Sequence, residues 1–297
     1  MKVLISGLIN IETTVAIRSF PINYYPIDYP FFGVNSDVSG VGFNLAGAFA
    51  ALGDQSELIS FLGRDDESER IAKHLAEKQI STDGIFHTLK NTPVSVVLYT
   101  PDGKRQIYCD LKDIQEQRLD VSDKALQSKL SECDIVCACN INFNRTLLSA
   151  AKSMNKLIAT DVHVLSDIED AYNKDFMEAA DILFLSDEKL PCTPERFMRQ
   201  LSEHFGSRII VIGMGKQGAM LFDRDDNTVR QLSAVQNRNV VNTVGAGDAL
   251  FSSFLHFYIK GFKPLDALKR AEVFAAVKIG TNGASKGFCS EDNVESV

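Results

Sequence analysis

Two hydrophobic rhythms alternate along this chain. Short runs rich in Val, Ile and Leu ("VLISGLI", "SELISFLG", "DIVCACNI", "KLIATDV", "DILFLS" and "RIIVIGMG") have the length and β-branched content of buried strands. Between them, "ESERIAKHLAEK", "DKALQSKLSE", "RTLLSAAKSM" and "PERFMRQLSEHF" repeat apolar residues at helical spacing. Strand and helix in alternation predict an α/β fold, a mainly parallel sheet with helices on both faces. Two stretches break the alternation. Residues 13–39 contain Pro21, Pro26 and Pro30 among Tyr24, Tyr25, Phe31 and Phe32. The prolines rule out a helix and confine any strand there to an edge or interrupted role. Residues 92–111, "TPVSVVLYTPDGKRQIYCDL", read as a β-hairpin turning at Asp102-Gly103. Together these stretches are expected to form a small sheet beside the main one, a lid over the sites at the strand ends. Its aromatic residues suit packing against the body, a subunit interface or a substrate cover.

The 297 residues are read as one domain spanning the chain, with 45% apolar and 24% charged residues and no low-complexity tract. Thirty-one basic against 39 acidic residues give a net charge of −8, and no basic stripe is interleaved with aromatics. Nucleic acid and anionic membranes are therefore not expected partners. The opening "MKVLISGLIN" is interrupted at Asn10 and Glu12, long before the ~20 apolar residues of a membrane span, and lacks a small-residue cleavage site. It reads as a first strand, and the chain as cytoplasmic. Six cysteines without CxxC spacing and five histidines without an HxxxH pair give no zinc or disulfide framework. Cys137 and Cys139 alternate onto one face of a buried strand, as reduced core thiols do.

Four segments carry candidate chemistry. In "NTVGAGDALFSSFLHFY", Gly245, Ala246 and Gly247 precede Asp248 at the start of an apolar helix, after a strand-like "NRNVVNTV". Small residues there leave backbone N–H groups open to an anion, and the helix dipole favours negative charge. Asp248 is then either a base beside that anion or a plain N-cap. In "SGVGFNLAGAFAALG", Gly40 and Gly42 precede Asn44, and a helix follows that packs through Ala46, Gly47 and Ala50 and stops at Gly53. The dinucleotide fingerprint is incomplete, and a polar ligand read by the Asn44 amide suits the pattern equally. In "GLINIETT", Asn10 and Glu12 follow the first strand and face one side of an extended segment, where they could bind vicinal hydroxyls or simply be solvated. In "VIGMGKQGAMLF", one strand ends at Gly213 and another begins near Ala219, with Gly215 and Gly218 in the turn. That turn suits a nucleotide or a plain hairpin.

In this order the four segments resemble the ribokinase-like PfkB family of sugar and nucleoside kinases, over essentially the whole chain. The most specific match is the family's late Asp-Thr-x-Gly-Ala-Gly-Asp signature, here Asn242-Thr243-Val244-Gly245-Ala246-Gly247-Asp248. The resemblance implies a three-layer α/β/α sandwich with a small β-sheet lid. It implies Asp248 as catalytic base and the backbone of Gly245, Ala246 and Gly247 as anion hole. Asn10, Glu12, Gly40, Gly42 and Asn44 match substrate-binding positions. Gly213, Gly215, Gly218, Thr243, Asn282, Gly283 and Ala284 match positions flanking ATP, with magnesium bridging its phosphates and a homodimer formed through the lid. Departures from the family pattern stand out: Glu12 for Asp, Ser39 for the first glycine, Val41 where ribokinases often have Lys, and Asn242 for Asp. In many relatives the Asp at 242 helps hold a monovalent cation beside the anion hole, so potassium dependence stays open here. The family's Asn-x-x-Glu segment appears as "SDEK", leaving Asp187 and Glu188 as metal candidates. The activity implied is phosphoryl transfer from ATP to a sugar-like hydroxyl, with a nucleoside kinase or an inactive ligand sensor as alternatives.

Overall fold

The structure, a computed structural model, describes residues 1–101, 103–235 and 240–296. Asp102 of the expected hairpin turn, and Asn237, Arg238 and Asn239 of "NRNVVNTV", lie outside the described residues. The first half of the chain runs β1 (Lys2–Ser6), β2 (Asn10–Ala16), β3 (Val34–Ser39), α1 (Val41–Ala51), β4 (Gln55–Leu62), α2 (Asp66–Glu77), β5 (Ile85–His87), β6 (Val94–Tyr99), β7 (Arg105–Asp110), α3 (Lys124–Glu132), β8 (Ile135–Ala138) and α4 (Arg145–Ser153). It continues through β9 (Leu157–Val164), α5 (Lys174–Ala179), β10 (Ile182–Ser186), α6 (Pro194–His204), β11 (Ile209–Gly213), β12 (Ala219–Asp223), β13 (Thr228–Leu232), α7 (Ala246–Ile259), α8 (Pro264–Lys278) and α9 (Glu291–Glu295).

Nine strands form the main sheet in the order β13-β12-β11-β10-β9-β8-β1-β4-β5. Its ladders are parallel except those that β12 makes with β11 and β13. Each strand sends alternate residues to opposite faces. Val3, Ile5, Ile209 and Val211 join a core with α1, α2, α7 and α8, while Leu4, Ile210 and Ile212 join a second core with α3, α4, α5 and α6. The result is the expected three-layer α/β/α sandwich. Local signals fix several helix starts: Asp65 and Ser68 make a reciprocal capping box at α2, and Thr193 caps α6 ahead of Pro194.

A separate four-stranded sheet, ordered β3-β2-β6-β7, is built from the two stretches that broke the helical rhythm. β2 and β6 pair in parallel at its centre, flanked by antiparallel β3 and β7. The prolines fall in the exposed 17–33 connection and never interrupt a ladder. This sheet begins at Asn10, earlier than the hydrophobic pattern suggested, because β1 ends at Ser6. A Cβ at Gly7 would lie 2.4 Å from the Cys139 sulfur, so the chain leaving β1 passes there only as glycine. Two local expectations need correction. Ala50 of α1 is exposed and takes no part in its packing. Val240 to Thr243 form no strand, because the N–H groups of Val241 and Asn242 both donate to the carbonyl of Ile279 beyond α8.

Candidate active site

Strand order reverses direction at β1, whose neighbours are β4 on one side and β8 on the other. In open α/β sheets such a point leaves a crevice beyond the carboxyl ends of the strands. Here the crevice is crossed by closely packed backbone. A Cβ on Gly40, which has φ +98°, would lie 2.5 Å from the Leu8 carbonyl oxygen, and one on Gly42 would lie 3.0 Å from the Gly7 backbone. The Gly42 N–H is itself bonded to the Leu8 carbonyl at 2.9 Å. Both glycines thus serve a chain crossing, which brings the first turn of α1 under the start of the small sheet. Asn44 stands in that turn.

Asn44 reaches across to the first turn of α7, where its Nδ2 donates to Asp248 Oδ2 at 2.7 Å. Gly245 caps α7 with φ +79°, and a Cβ there would meet the Ala284 carbonyl oxygen at 2.5 Å. Only glycine fits that turn. The Ala246 N–H is engaged by the Thr243 carbonyl, whereas a Cβ on Gly247 would meet nothing within 4 Å. Space and helix-start donors therefore open around Gly247. Burial raises the Asp248 carboxyl above its ordinary range, against the opposing hydrogen bond from Asn44; His163 lowers it and Asp161 raises it further. Nearby, Asn10 Nδ2 donates to Ser95 Oγ at 2.9 Å, but Asn10 Oδ1 and Asn44 Oδ1 are buried without a partner. Buried acceptors left over at a crevice ask for donors from a ligand.

The inner face of the small sheet continues this floor. Glu12 and Thr14 of β2 stand opposite Asp37 and Asn35 of β3, and with Asn282, Gly283 and Lys286 they line a cavity of about 250 Å³. Every lining side chain is polar, and none is aromatic. Glu12 is pushed up to about 7, first by burial and then by the Asp248 charge, with Lys278 and the Ser39 hydroxyl pulling the other way. Lys286 Nζ pairs with Asp37 Oδ2 at 2.8 Å, Arg105 lies 3.6 Å from Glu188, and Ser285 Oγ donates to the Val38 carbonyl at 3.0 Å. The small sheet is thereby tied to the body on two sides.

The residues expected around a nucleotide divide. Gly213 ends β11 and Gly215 turns with φ +54° into open space, but a Cβ on Gly218 would collide with the Leu232 carbonyl at 2.0 Å. Asn282 and Gly283 line the cavity beside Glu12, and Ala284 packs on Val244 and on Val97 of the small sheet. Asn282 Oδ1 accepts from Asn242 Nδ2 at 2.9 Å, and Thr243 supplies the carbonyl that holds Ala246. Asp187 has its carboxyl raised by burial, while Glu188 faces Arg105 of the small sheet. Among the described residues no group of three or more His, Cys, Asp or Glu side chains converges as a metal cage.

Several residues of this site carried no signal in their immediate sequence context. Asp161 and His163, at the end of β9, act on Asp248, and His163 holds φ +60°. Thr14, Asn35, Asp37 and Lys286 meet only through strand pairing and a contact 249 residues apart. Lys278 had a readable signal. It follows Ala271 and Phe274 on the helical repeat of a buried stripe, where a charge is out of place.

The profile described as "pfkB family carbohydrate kinase" matches residues 25–291. The chain belongs to the pfkB family of carbohydrate kinases. It is thus a sugar or nucleoside kinase of the ribokinase type, a phosphotransferase. Among its curated relatives, the ribokinase of Dictyostelium discoideum is 22% identical over 86% of this chain and 87% of its own length. The acarbose 7(IV)-phosphotransferase of Actinoplanes sp. is 22% identical over 96% and 93%. A microbiome-derived acarbose kinase superposes with a TM-score of 0.86 at 24% identity, covering 99% of this pfkB kinase and 97% of that structure. Arabidopsis thaliana ribokinase, solved with ribose and ATP, gives 0.80 at 19% identity, with coverages of 99% and 97%. No helix among the described residues is long and apolar enough to cross a membrane.

Proposed function

We propose that this kinase transfers the γ-phosphoryl group of ATP to a hydroxyl of a sugar or sugar-like compound, with Asp248 as general base and the backbone at Gly245–Gly247 as the anion cradle. The observation that carries this reading is Asp248 itself, a carboxyl raised by burial, held by Asn44 and set beside an open helix start. Asn44 orients the carboxylate so that its remaining lone pairs face the crevice, where a substrate hydroxyl gives up its proton. The unpartnered Oδ1 atoms of Asn10 and Asn44 accept further hydroxyls, and Glu12 reads another. ATP supplies the phosphoryl group, and Mg²⁺ offsets charge on its phosphates. The donor set suits an ion carried mainly by those phosphates and water, with Asp187 and Glu188 the protein carboxylates proposed to approach it.

The polar cavity favours a polyhydroxyl ligand over a nucleoside, whose base needs an apolar or aromatic surface. Beyond the cavity, Tyr24, Phe31 and Phe32 are 84–102% exposed on the long lid connection, a surface that a second copy of the chain would cover. ADP release with MgATP against ribose, deoxyribose, acarbose and a nucleoside panel tests the reading. Asp248→Asn is expected to lower kcat by about 10²–10⁴-fold, while calorimetry still detects sugar and nucleotide. Survival of turnover in that variant sinks the assignment of the base.

A further inference from the structure

Lys278 closes α8 with a side chain that is 0% exposed. Its ammonium donates to the carbonyl of Val244, the residue immediately before the left-handed Gly245 turn. Among the described residues no carboxylate lies within ion-pair distance of it. The charges that face it are Asp248 and Glu12, and both attract it from farther away. A buried ammonium without a contact ion pair is costly, and it persists where its charge is used.

A dissociable monovalent cation beside the cradle, held by a carboxylate at position 242, does not fit these residues. Asn242 is neutral and both ends of its amide are taken: Oδ1 accepts the Val244 N–H at 2.8 Å and Nδ2 donates to Asn282. The Val244 carbonyl, which such an ion could share, already holds a positive charge. We infer that Lys278 is a tethered cation and a positioning residue. Its ammonium stands where a loose ion would otherwise serve, and it makes the kinase indifferent to potassium. In a trans peptide the C=O and N–H point in opposite directions, so fixing the Val244 carbonyl on Lys278 turns the Gly245 N–H away from it, toward the side where the phosphoryl group is cradled. The unscreened charge also offsets the incoming phosphates in a water-poor site. Burial lowers Lys278 to about 8, with Asp248 and then Glu12 opposing that shift, so the ammonium is charged at neutral pH.

This inference rests on the phosphotransfer reading of the same site, and the tests separate the two. Thallium(I) binding, read by ²⁰⁵Tl resonance in the presence of a non-hydrolysable ATP analogue, needs no sugar substrate. The wild-type chain is expected to bind no thallium at the cradle, and its turnover is expected to be unchanged when choline chloride is replaced by KCl. Lys278→Met is expected to lose about 10–100-fold in kcat, and to bind thallium and recover activity in KCl once Asn242→Asp is added. Stoichiometric thallium binding by the wild type overturns the inference, as does a severalfold rise of its turnover with KCl. So does a Lys278→Met variant with wild-type kcat. Should that variant fail to fold, the wild-type thallium titration decides alone. A chain that binds the ATP analogue but phosphorylates nothing in the panel overturns the phosphotransfer reading, and the thallium result still judges Lys278.

Discussion

Glu12 stands on the inner face of the small sheet with Asp248 and Asp37 near it and Lys278 as its attractive counterpart. With its carboxyl at about 7, it is a mixture of charged and neutral forms at neutral pH and can both accept and donate a hydrogen bond to a hydroxyl. The raised value also has a sign for stability. A folded-state pKa above the ordinary 4.5 means that Glu12's contribution is fully present below about 4.5 and is lost as pH rises through about 7. Glu12→Gln is therefore expected to stabilise the ligand-free protein at pH 8 by roughly 1–3 kcal/mol, and to leave it nearly unchanged at pH 4.5. Urea denaturation at the two pH values measures both, and equal effects at both would show that the carboxyl titrates normally. The sequence made Glu12 visible as a departure from Asp. It could not show Asp37 and Asp248 beside it, because strand register and helix packing bring those charges in.

At the scale of elements, the small sheet meets the body through few polar ties. Lys286 and Asp37 form a partly exposed pair, worth at most about 1 kcal/mol of stability. Yet both line the cavity, and removing the cation leaves Asp37 unpaired next to Glu12. Lys286→Met is thus expected to shift the melting temperature little and to raise KM for the sugar about tenfold, with kcat less affected. An unchanged KM in steady-state kinetics would deny the pair a part in substrate binding. Most elements here were legible from periodicity: the six apolar runs became β1, β4, β8, β9, β10 and β11, and the four amphipathic stretches became α2, α3, α4 and α6. The reading failed where tertiary partners replaced local ones. Val240 and Val241 look like strand residues, but the N–H groups of Val241 and Asn242 are spent on the end of α8. Beside their proposed place in a ligand loop, Gly40 and Gly42 cross the backbone of Gly7 and Leu8, a contact that the local sequence does not show.

For the molecule as a whole, the five most exposed large apolar side chains among the described residues lie on the connection between β2 and β3. Ile27 and Tyr29 are 69% and 68% exposed there, alongside Tyr24, Phe31 and Phe32. On the proposal that a second copy covers this loop, Tyr24→Ser with Phe31→Ser and Phe32→Ser is expected to return monomers in size-exclusion chromatography with light scattering. A wild-type chain that elutes as a monomer at micromolar concentration would leave the loop to another purpose. The glycine crossing has a mechanical consequence as well. The chain enters the small sheet through Gly7–Ile9 and leaves it at Gly40, and these two passes touch each other. They would act as a fulcrum if the small sheet swings as a rigid body. In any rigid swing about it, displacement grows with distance, so Asn10 barely moves while the aromatic tip travels farthest. Such a lever would hold the hydroxyl contacts steady near its pivot and select ligand bulk at its rim.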